Sequence, residues 1–316
     1  MKRIGVIGVG YLGQHHARIF SGLDGAQLSF VVDADIERAR EIAGKYGCAY
    51  CADYRDIIDR VDALSIVTPT TLHYGIARDC IDAGKDILIE KPITCTVDEA
   101  EDIIRTAADR GVIVQVGHLE RFNPAVVALH PLIGEPVFIE AERLSPFLGR
   151  GTDVDITLDL MIHDIDIVLA LLSRAGGNVT VADIKATGSP VLTETIDIAR
   201  TWLEFGDGVQ ALVTASRLSP EKSRKLKVFQ RDSLLLLDYQ AMEIRRFFKR
   251  GGEIVEESVG VEKREPLMEE LRDFVECITT RRRPDVSAVE GRNALQIALE
   301  IGRRIRGGYS FCPSGG

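Results

Sequence analysis

The chain has 316 residues, with 39 lysines and arginines against 48 aspartates and glutamates, for a formal net charge of −9 at pH 7. At about 150 residues per domain that length suggests two domains, and 45 % apolar with 28 % charged residues is globular rather than disordered composition. A net negative protein is poorly suited to nucleic acid or an acidic membrane surface. The one basic run, Arg281-Arg282-Arg283-Pro284, reads as a solvated loop between helices, and no stretch supplies the roughly 18 apolar residues of a membrane span. The start, Met1-Lys2-Arg3 before a glycine-broken apolar run and polar Gln14-His15-His16, reads as a strand and not as an export signal. The six cysteines, Cys48, Cys51, Cys80, Cys95, Cys277 and Cys312, are therefore expected to be reduced, in a cytoplasm. Cys48-x-x-Cys51 has no second pair to complete a zinc site.

Over the first 120 residues short apolar runs alternate with helical patterns. Strands are expected at 3–7, 27–32, 63–67, 86–89 and 112–116, and helices at 12–21, 36–45, 72–83 and 97–109. Gly84 and Gly111 close two of these helices as left-handed caps. Such alternation marks βαβ units and a doubly wound parallel sheet of the Rossmann type, which explains why Ala63-Leu64-Ser65-Ile66-Val67 and Ile87-Leu88-Ile89 are apolar almost throughout. Beyond residue 120 the rhythm changes to a strand at 137–144, a helix at 157–172, and strands at 179–186, 195–205, 209–216, 226–230 and 233–237. Gly206-Asp207-Gly208 has the character of a hairpin tip. This predicts an α+β domain with a large, mainly antiparallel sheet, followed by helices at 266–279 and 288–304. The expected division is residues 1–120 for a dinucleotide-binding domain and 121–285 for a substrate-binding and oligomerisation domain, with helix 288–305 packing back on the first.

Gly8-Val9-Gly10-Tyr11-Leu12-Gly13 leaves a predicted strand and opens a predicted helix, the setting a phosphate-binding GxGxxG requires. Gly8 permits the tight turn, Gly10 lets the backbone approach a pyrophosphate, and Gly13 allows close helix–strand packing. The turn through Tyr11 and Leu12 presents the helix N-terminus to the phosphate. Asp33 stands 20 residues beyond Gly13, at the end of the next strand. A carboxylate there accepts hydrogen bonds from the adenosine ribose and repels a 2′-phosphate. Ala34 and Asp35 offer no guanidinium to reverse that preference, so NAD is expected over NADP. FAD or S-adenosylmethionine use the same turn, and a plain α/β turn with a capping aspartate also looks like this.

Ligands of open α/β sheets sit beyond the carboxyl ends of the strands. There the chain carries Thr68-Pro69-Thr70-Thr71-Leu72-His73 and Glu90-Lys91-Pro92. With the glycine turn, this set in this order resembles the glucose-fructose oxidoreductase / inositol dehydrogenase family of sugar dehydrogenases, over nearly the whole chain. The resemblance implies cofactor contacts from Thr68, Pro69, His73, Glu90 and Lys91, besides the glycine turn and Asp33. A lysine at a strand end is ordinarily a surface residue, but within this motif Lys91 is implied to be catalytic. Its ammonium would hydrogen-bond a substrate hydroxyl and stabilise negative charge on that oxygen as hydride leaves.

Asp159 and His163 are four residues apart on a predicted helix and so share a face, with Asp166 three further on. Carboxylate and imidazole together form a natural general-base pair. The family carries Asp-x-x-x-His here, so the resemblance implies a catalytic group of Lys91, Asp159 and His163. Small residues are usual in the gap where this chain has Leu160, Met161 and Ile162, which implies a differently shaped pocket wall. Acids around a histidine also suit a divalent cation, but His118 and His130 lie in no ligand spacing, so no metal is expected. A core histidine beside helix-capping aspartates is the plain structural alternative.

The segment Val116-Gly117-His118-Leu119-Glu120-Arg121-Phe122-Asn123-Pro124 is similar to the family's crossover between domains. With Arg143-Leu144-Ser145-Pro146-Phe147 and Arg150-Gly151-Thr152-Asp153, it looks most like the nucleotide-sugar branch, which oxidises the 3-hydroxyl of UDP-N-acetylglucosamine. The resemblance thus implies NAD-dependent oxidation of a sugar hydroxyl, C3 of a UDP-N-acetylhexosamine. His163 would be the base, with Lys91 polarising the same oxygen and Arg121, Arg143 and Arg150 as bidentate forks for the pyrophosphate. It also implies a homodimer or homotetramer built on the second sheet, whose outer face would otherwise show Val209, Leu212 and Val213 to water. Functional coupling to an aminotransferase that consumes a keto-sugar follows from the same branch. Dehydrogenation of a free polyol or monosaccharide is a second reading. A non-catalytic NAD-binding regulator is a third, against which the retention of Lys91, Asp159 and His163 argues.

Overall fold

Six strands, β1 (Lys2–Ile7), β2 (Ala26–Val32), β3 (Ala49–Cys51), β4 (Ala63–Ile66), β5 (Asp86–Glu90) and β6 (Val114–Gly117), form an all-parallel sheet in the order β3-β2-β1-β4-β5-β6. They belong to a computed structural model that describes residues 1–147, 149 and 154–308. Helices α1 (Gly13–Phe20), α2 (Ile36–Tyr46), α3 (Thr70–Asp82) and α4 (Val97–Arg110) connect them. Every residue of β4 and β5 is buried, which is what their near-continuous apolar runs require. α2 and α4 stop at Gly47 and Gly111, both left-handed, and α4 starts on a reciprocal Thr96–Glu99 capping box. The strand order reverses between β1 and β4, so the loops after these two strands diverge around a crevice at their carboxyl ends. β3 escapes prediction because its three residues, Ala-Tyr-Cys, are an edge with no fully buried position.

Beyond a short helix α5 (Pro124–Leu129) comes β7 (Pro136–Leu144), and then α6 (Ile162–Arg174). Seven more strands follow: β8 (Val181–Ser189), β9 (Ile198–Phe205), β10 (Gln210–Ser216), β11 (Ser223–Gln230), β12 (Ser233–Asp238), β13 (Glu243–Arg250) and β14 (Glu253–Val259). The eight strands run in the order β14-β13-β12-β11-β7-β10-β9-β8, antiparallel except for β7 beside β10. β13 and β14 were not expected: their sequences are dense in Glu, Arg and Lys, as suits an exposed edge strand, β14, and the strand paired to it. The Gly251-Gly252 turn between them, positive in φ at both residues, was the available hairpin signal. α6 packs on β7 and β10. Val213 lies on that covered face and is fully buried, so of the residues expected on the outer face Leu212 belongs there and Val213 does not.

The chain divides into two compact units, residues 1–122 with 264–295, and 123–263 with the residues from 296 on. α7 (Pro266–Thr280) therefore belongs to the first unit rather than the second. Its stripe of Leu267, Leu271, Phe274, Val275 and Ile278 joins Phe20, Leu23 and Leu28 in one core. Only the first two turns of α8 (Ala288–Gly308) belong with the first unit, where a Cβ on Gly291 would come within 2.8 Å of Val116. Later in α8, Arg304 donates to the Ile184 carbonyl in the second unit.

Strand alternation in β7 turns Arg143 inward. Its Nε and Nη2 donate to the Asp164 carboxylate of α6 at 2.9 Å each, and its guanidinium lies over the Tyr239 ring. With both residues at most 1 % exposed, this fork is closed on a structural partner, so Arg143 is not the pyrophosphate ligand the sequence suggested. Removing one partner of a buried ion pair strands the other, at about 3–5 kcal/mol. Asp164→Ala should lower stability to urea by about that amount; a loss below about 1 kcal/mol would contradict this role for the pair.

Candidate active site

The glycines of the first turn do three different things. Gly8 has φ +83°, and a Cβ there would lie 2.6 Å from the Val67 carbonyl oxygen. A Cβ on Gly13 would collide with the Gly8 carbonyl, so α1 can start this close to β1 only with glycine. Gly10 faces open space, with nothing within 4 Å of where a Cβ would stand. That is the room a pyrophosphate needs next to the start of α1. Tyr11 is well exposed and Leu12 is the residue preceding the helix.

Asp33 is tied to this turn. Its Oδ2 accepts the Val9 N–H at 3.0 Å and its Oδ1 the Asp35 N–H at 3.0 Å. Ala34 and Asp35 offer no guanidinium, but Arg38, in the first turn of α2, comes within 3.8 Å of Asp33 and 3.5 Å of Asp35. Its place on the first turn of a helix capped by Asp35 was the signal available in the sequence.

His73 joins the next two loops. Its ring nitrogens face the Thr68 carbonyl at 2.9 Å and the Pro92 carbonyl at 2.8 Å, and it is almost fully buried. Burial pushes its pKa below the usual imidazole range, against the pull of those carbonyls and of Glu90. His73 therefore fixes the loops after β4 and β5 from behind. The Thr68 hydroxyl is buried with no hydrogen-bond partner among the described residues, while Pro69 is exposed at the start of α3. Glu90 also turns inward, its carboxylate 3.3 Å from His16 Nε2 and accepting the Lys91 N–H at 3.2 Å. Lys91 is half-buried at the edge.

In the second unit, residues Thr157–Met161 form a π turn ahead of α6, where a plain helix was expected. Such wide turns are frequent at functional sites. Asp159 on this turn and His163 in the first turn of α6 are both half-buried, whereas Thr157, Met161, Ile162, Asp164, Ile165 and Asp166 are buried. Of the three bulky residues between acid and histidine, only Leu160 stays outside the core. The segment is anchored by Asp155, which accepts the Ile196 N–H at 3.0 Å and pairs with Arg306. Arg121 is half-buried in a 3₁₀ turn ending the first unit, and Arg150 lies outside the described residues, as does Cys312. Cys48, Cys51, Cys80, Cys95 and Cys277 are free thiols. Among the described residues no group of three His, Cys, Asp or Glu side chains is placed to hold a metal ion, and no helix is long and apolar enough to cross a membrane.

A reversing parallel sheet with a glycine turn, an acid after its second strand and a lysine at its carboxyl edge is the architecture of a nicotinamide-dependent oxidoreductase. Residues 2–118 match the model of an oxidoreductase family with an NAD-binding Rossmann fold. The chain is 35 % identical, over 95 % of its length and 96 % of the relative's, to UDP-N-acetylglucosamine 3-dehydrogenase of Acidithiobacillus ferrooxidans. The solved structure of that enzyme matches with a TM-score of 0.90 over 97 % of this chain and 98 % of that one, at 34 % identity. Scyllo-inositol 2-dehydrogenase of Bacillus subtilis is 26 % identical over 97 % of this chain and 94 % of its own. The chain belongs to the glucose-fructose oxidoreductase / inositol dehydrogenase family; it is an NAD-binding sugar dehydrogenase.

The open space at Gly10, the start of α1 and Asp33 fit NAD. Asp33→Ser should weaken NADH binding about 10- to 100-fold, the worth of hydrogen bonds to a charged group. It should also release Arg38 to pair with a 2′-phosphate, so that NADPH binds where the parent binds little. Titration calorimetry with both dinucleotides checks this, and an unchanged preference for NADH in the variant would count against it.

Proposed function

We propose that this enzyme oxidises the 3-hydroxyl of a UDP-N-acetylhexosamine, UDP-N-acetylglucosamine first among them. The observation that carries the reading is the reach of the similarity to the Acidithiobacillus enzyme. It runs on beyond the dinucleotide fold through the whole second unit, at a higher identity than the full-length inositol relative. NAD held by the Gly8–Gly13 turn and Asp33 would supply the hydride acceptor, which the chain's own side chains cannot. His163 accepts the hydroxyl proton, Asp159 orients the imidazole, and the Lys91 ammonium holds the same oxygen as negative charge builds on it. Arg121 and Arg150 remain as forks for the pyrophosphate. A free polyol is the second reading, favoured by the full-length match to an inositol dehydrogenase. Binding of uridine diphosphate separates the two. The 3-keto product suits an aminotransferase acting next, and five free thiols suit a reducing cytoplasm.

The assembly we propose is a homodimer or homotetramer built on the sheet face opposite α6. Register places Phe138, Phe229, Leu234 and Phe247 in one row across that face, with Trp202, Leu212 and Leu236 in the next, where the Lys227–Glu140 ion pair stands between Leu212 and Leu236. Phe138 stacks between Trp202 at 5.3 Å and Phe229 at 5.6 Å. An apolar patch of this kind on one face of a sheet calls for a cover, and a second copy supplies it by symmetry.

Two outcomes are expected. Lys91→Ala should lower turnover by at least about 10³-fold while NADH affinity stays within about threefold; retention of most of the rate would overturn the assignment. Leu236→Asp should shift the mass measured by light scattering to that of the 34.8 kDa monomer; an unchanged oligomer would locate the interface elsewhere.

A further inference from the structure

Beneath the Glu90-Lys91-Pro92 loop lies a set of buried polar side chains that hydride transfer does not itself use. Glu90 ends β5 with its carboxylate 3.3 Å from His16 Nε2 of α1, and His16 Nδ1 is 2.9 Å from the Ser65 hydroxyl of β4. The other carboxylate oxygen accepts the Lys91 N–H at 3.2 Å. Room for this carboxylate exists only because residue 117 is glycine, where a Cβ would come within 2.8 Å of it. Glu270 of α7 is fully buried on the apolar face of its helix, between Leu267, Leu271 and Phe274, and neither of its carboxyl oxygens has a hydrogen-bond partner among the described residues. Gln115 of β6 donates to the Glu270 backbone carbonyl at 3.1 Å, leaving its own buried Oε1 without a partner.

We propose that Glu90 is a positioning residue for Lys91, and that Glu270 behind it is kept as a neutral carboxylic acid, so that two buried carboxyl groups carry one negative charge. The proposal rests on the catalytic reading of Lys91. An ionised, unpartnered carboxylate in an apolar core is far costlier than a neutral one. Burial and then the Glu90 charge both push Glu270 well above the usual carboxyl range, with Asp273 adding to them. The other groups bearing on the pair are His16 from α1, His73 from α3, and Arg282, which holds Asp273. The Glu90 carboxylate stands beside the His16 ring and accepts the Lys91 amide, and that bond fixes where the lysine leaves the backbone.

The sign of the pH effect follows from linkage. A carboxyl whose pKa is raised by folding contributes stability that is fully present below the unfolded pKa of about 4.3 and is lost as pH rises through the folded value. Glu270→Gln, an isostere of the neutral acid, should match the parent's melting temperature near pH 5 and exceed it by about 3 °C or more at pH 9. A difference that does not change with pH, or failure of both Glu270→Gln and a shape-matched Glu270→Met to fold, would overturn the neutral-acid half. This readout needs no substrate, so it stands apart from the functional reading. Glu90→Gln should lower kcat by about tenfold or more at unchanged KM, with NADH affinity within about threefold. On any sugar the parent oxidises, a kcat within twofold of the parent would overturn the positioning half, whereas a parent that oxidises no sugar would sink the catalytic reading itself.

Discussion

The approach of α1 to β1 is the constraint on which the site depends. Gly8 turns the chain back under the Val67 carbonyl, and Gly13 starts the helix against the Gly8 carbonyl, with no space for a side chain at either point. Only then do the start of α1 and the open side of Gly10 face the same point. Asp33 is locked to the turn through the Val9 N–H, so the glycine turn and the acid after β2 form one element. Strand order does the rest, because the reversal between β1 and β4 opens the crevice into which these groups project.

The lysine loop is held in a different way, by buried polar contacts. His73 spans two carbonyls, Glu90 reaches His16, and His16 reaches Ser65, so the loops after β4 and β5 are fixed to α1 and α3 from behind. Buried networks of this kind are strong where satisfied and costly where a member is lost. In the second unit the Arg143–Asp164 pair serves the same end, fixing α6, and with it His163, on β7.

Much of this was legible in the sequence because it depends on local rules. The GxGxxG, the acid after β2 and the all-apolar strands carry their reasons in their spacing, and the turn at Gly206-Asp207-Gly208 does join two antiparallel strands. What was not legible depends on tertiary neighbours. Arg143 looked like a free fork because no local pattern shows that Asp164 waits across β7 and α6. The inward turn of His73 and Glu90 was not legible, because a motif gives proximity but not the direction in which a side chain turns. Arg38 is not adjacent to Asp33 in sequence; the first turn of α2 brings it there. Glu270 left a mark that could have been read, an acid inside an otherwise apolar helical stripe. α7 was assigned to the wrong unit since a stripe shows that a helix is covered but not by what.

Turnover is the most direct test of the account. Purified enzyme with NAD should develop the absorbance of reduced nicotinamide when given UDP-N-acetylglucosamine, with a carbonyl trap or an aminotransferase present to draw off the ketone. Reduction with UDP-N-acetylglucosamine but not with inositol or free glucosamine is the predicted result. Reduction by a free polyol alone, with the nucleotide sugar inert, would contradict it.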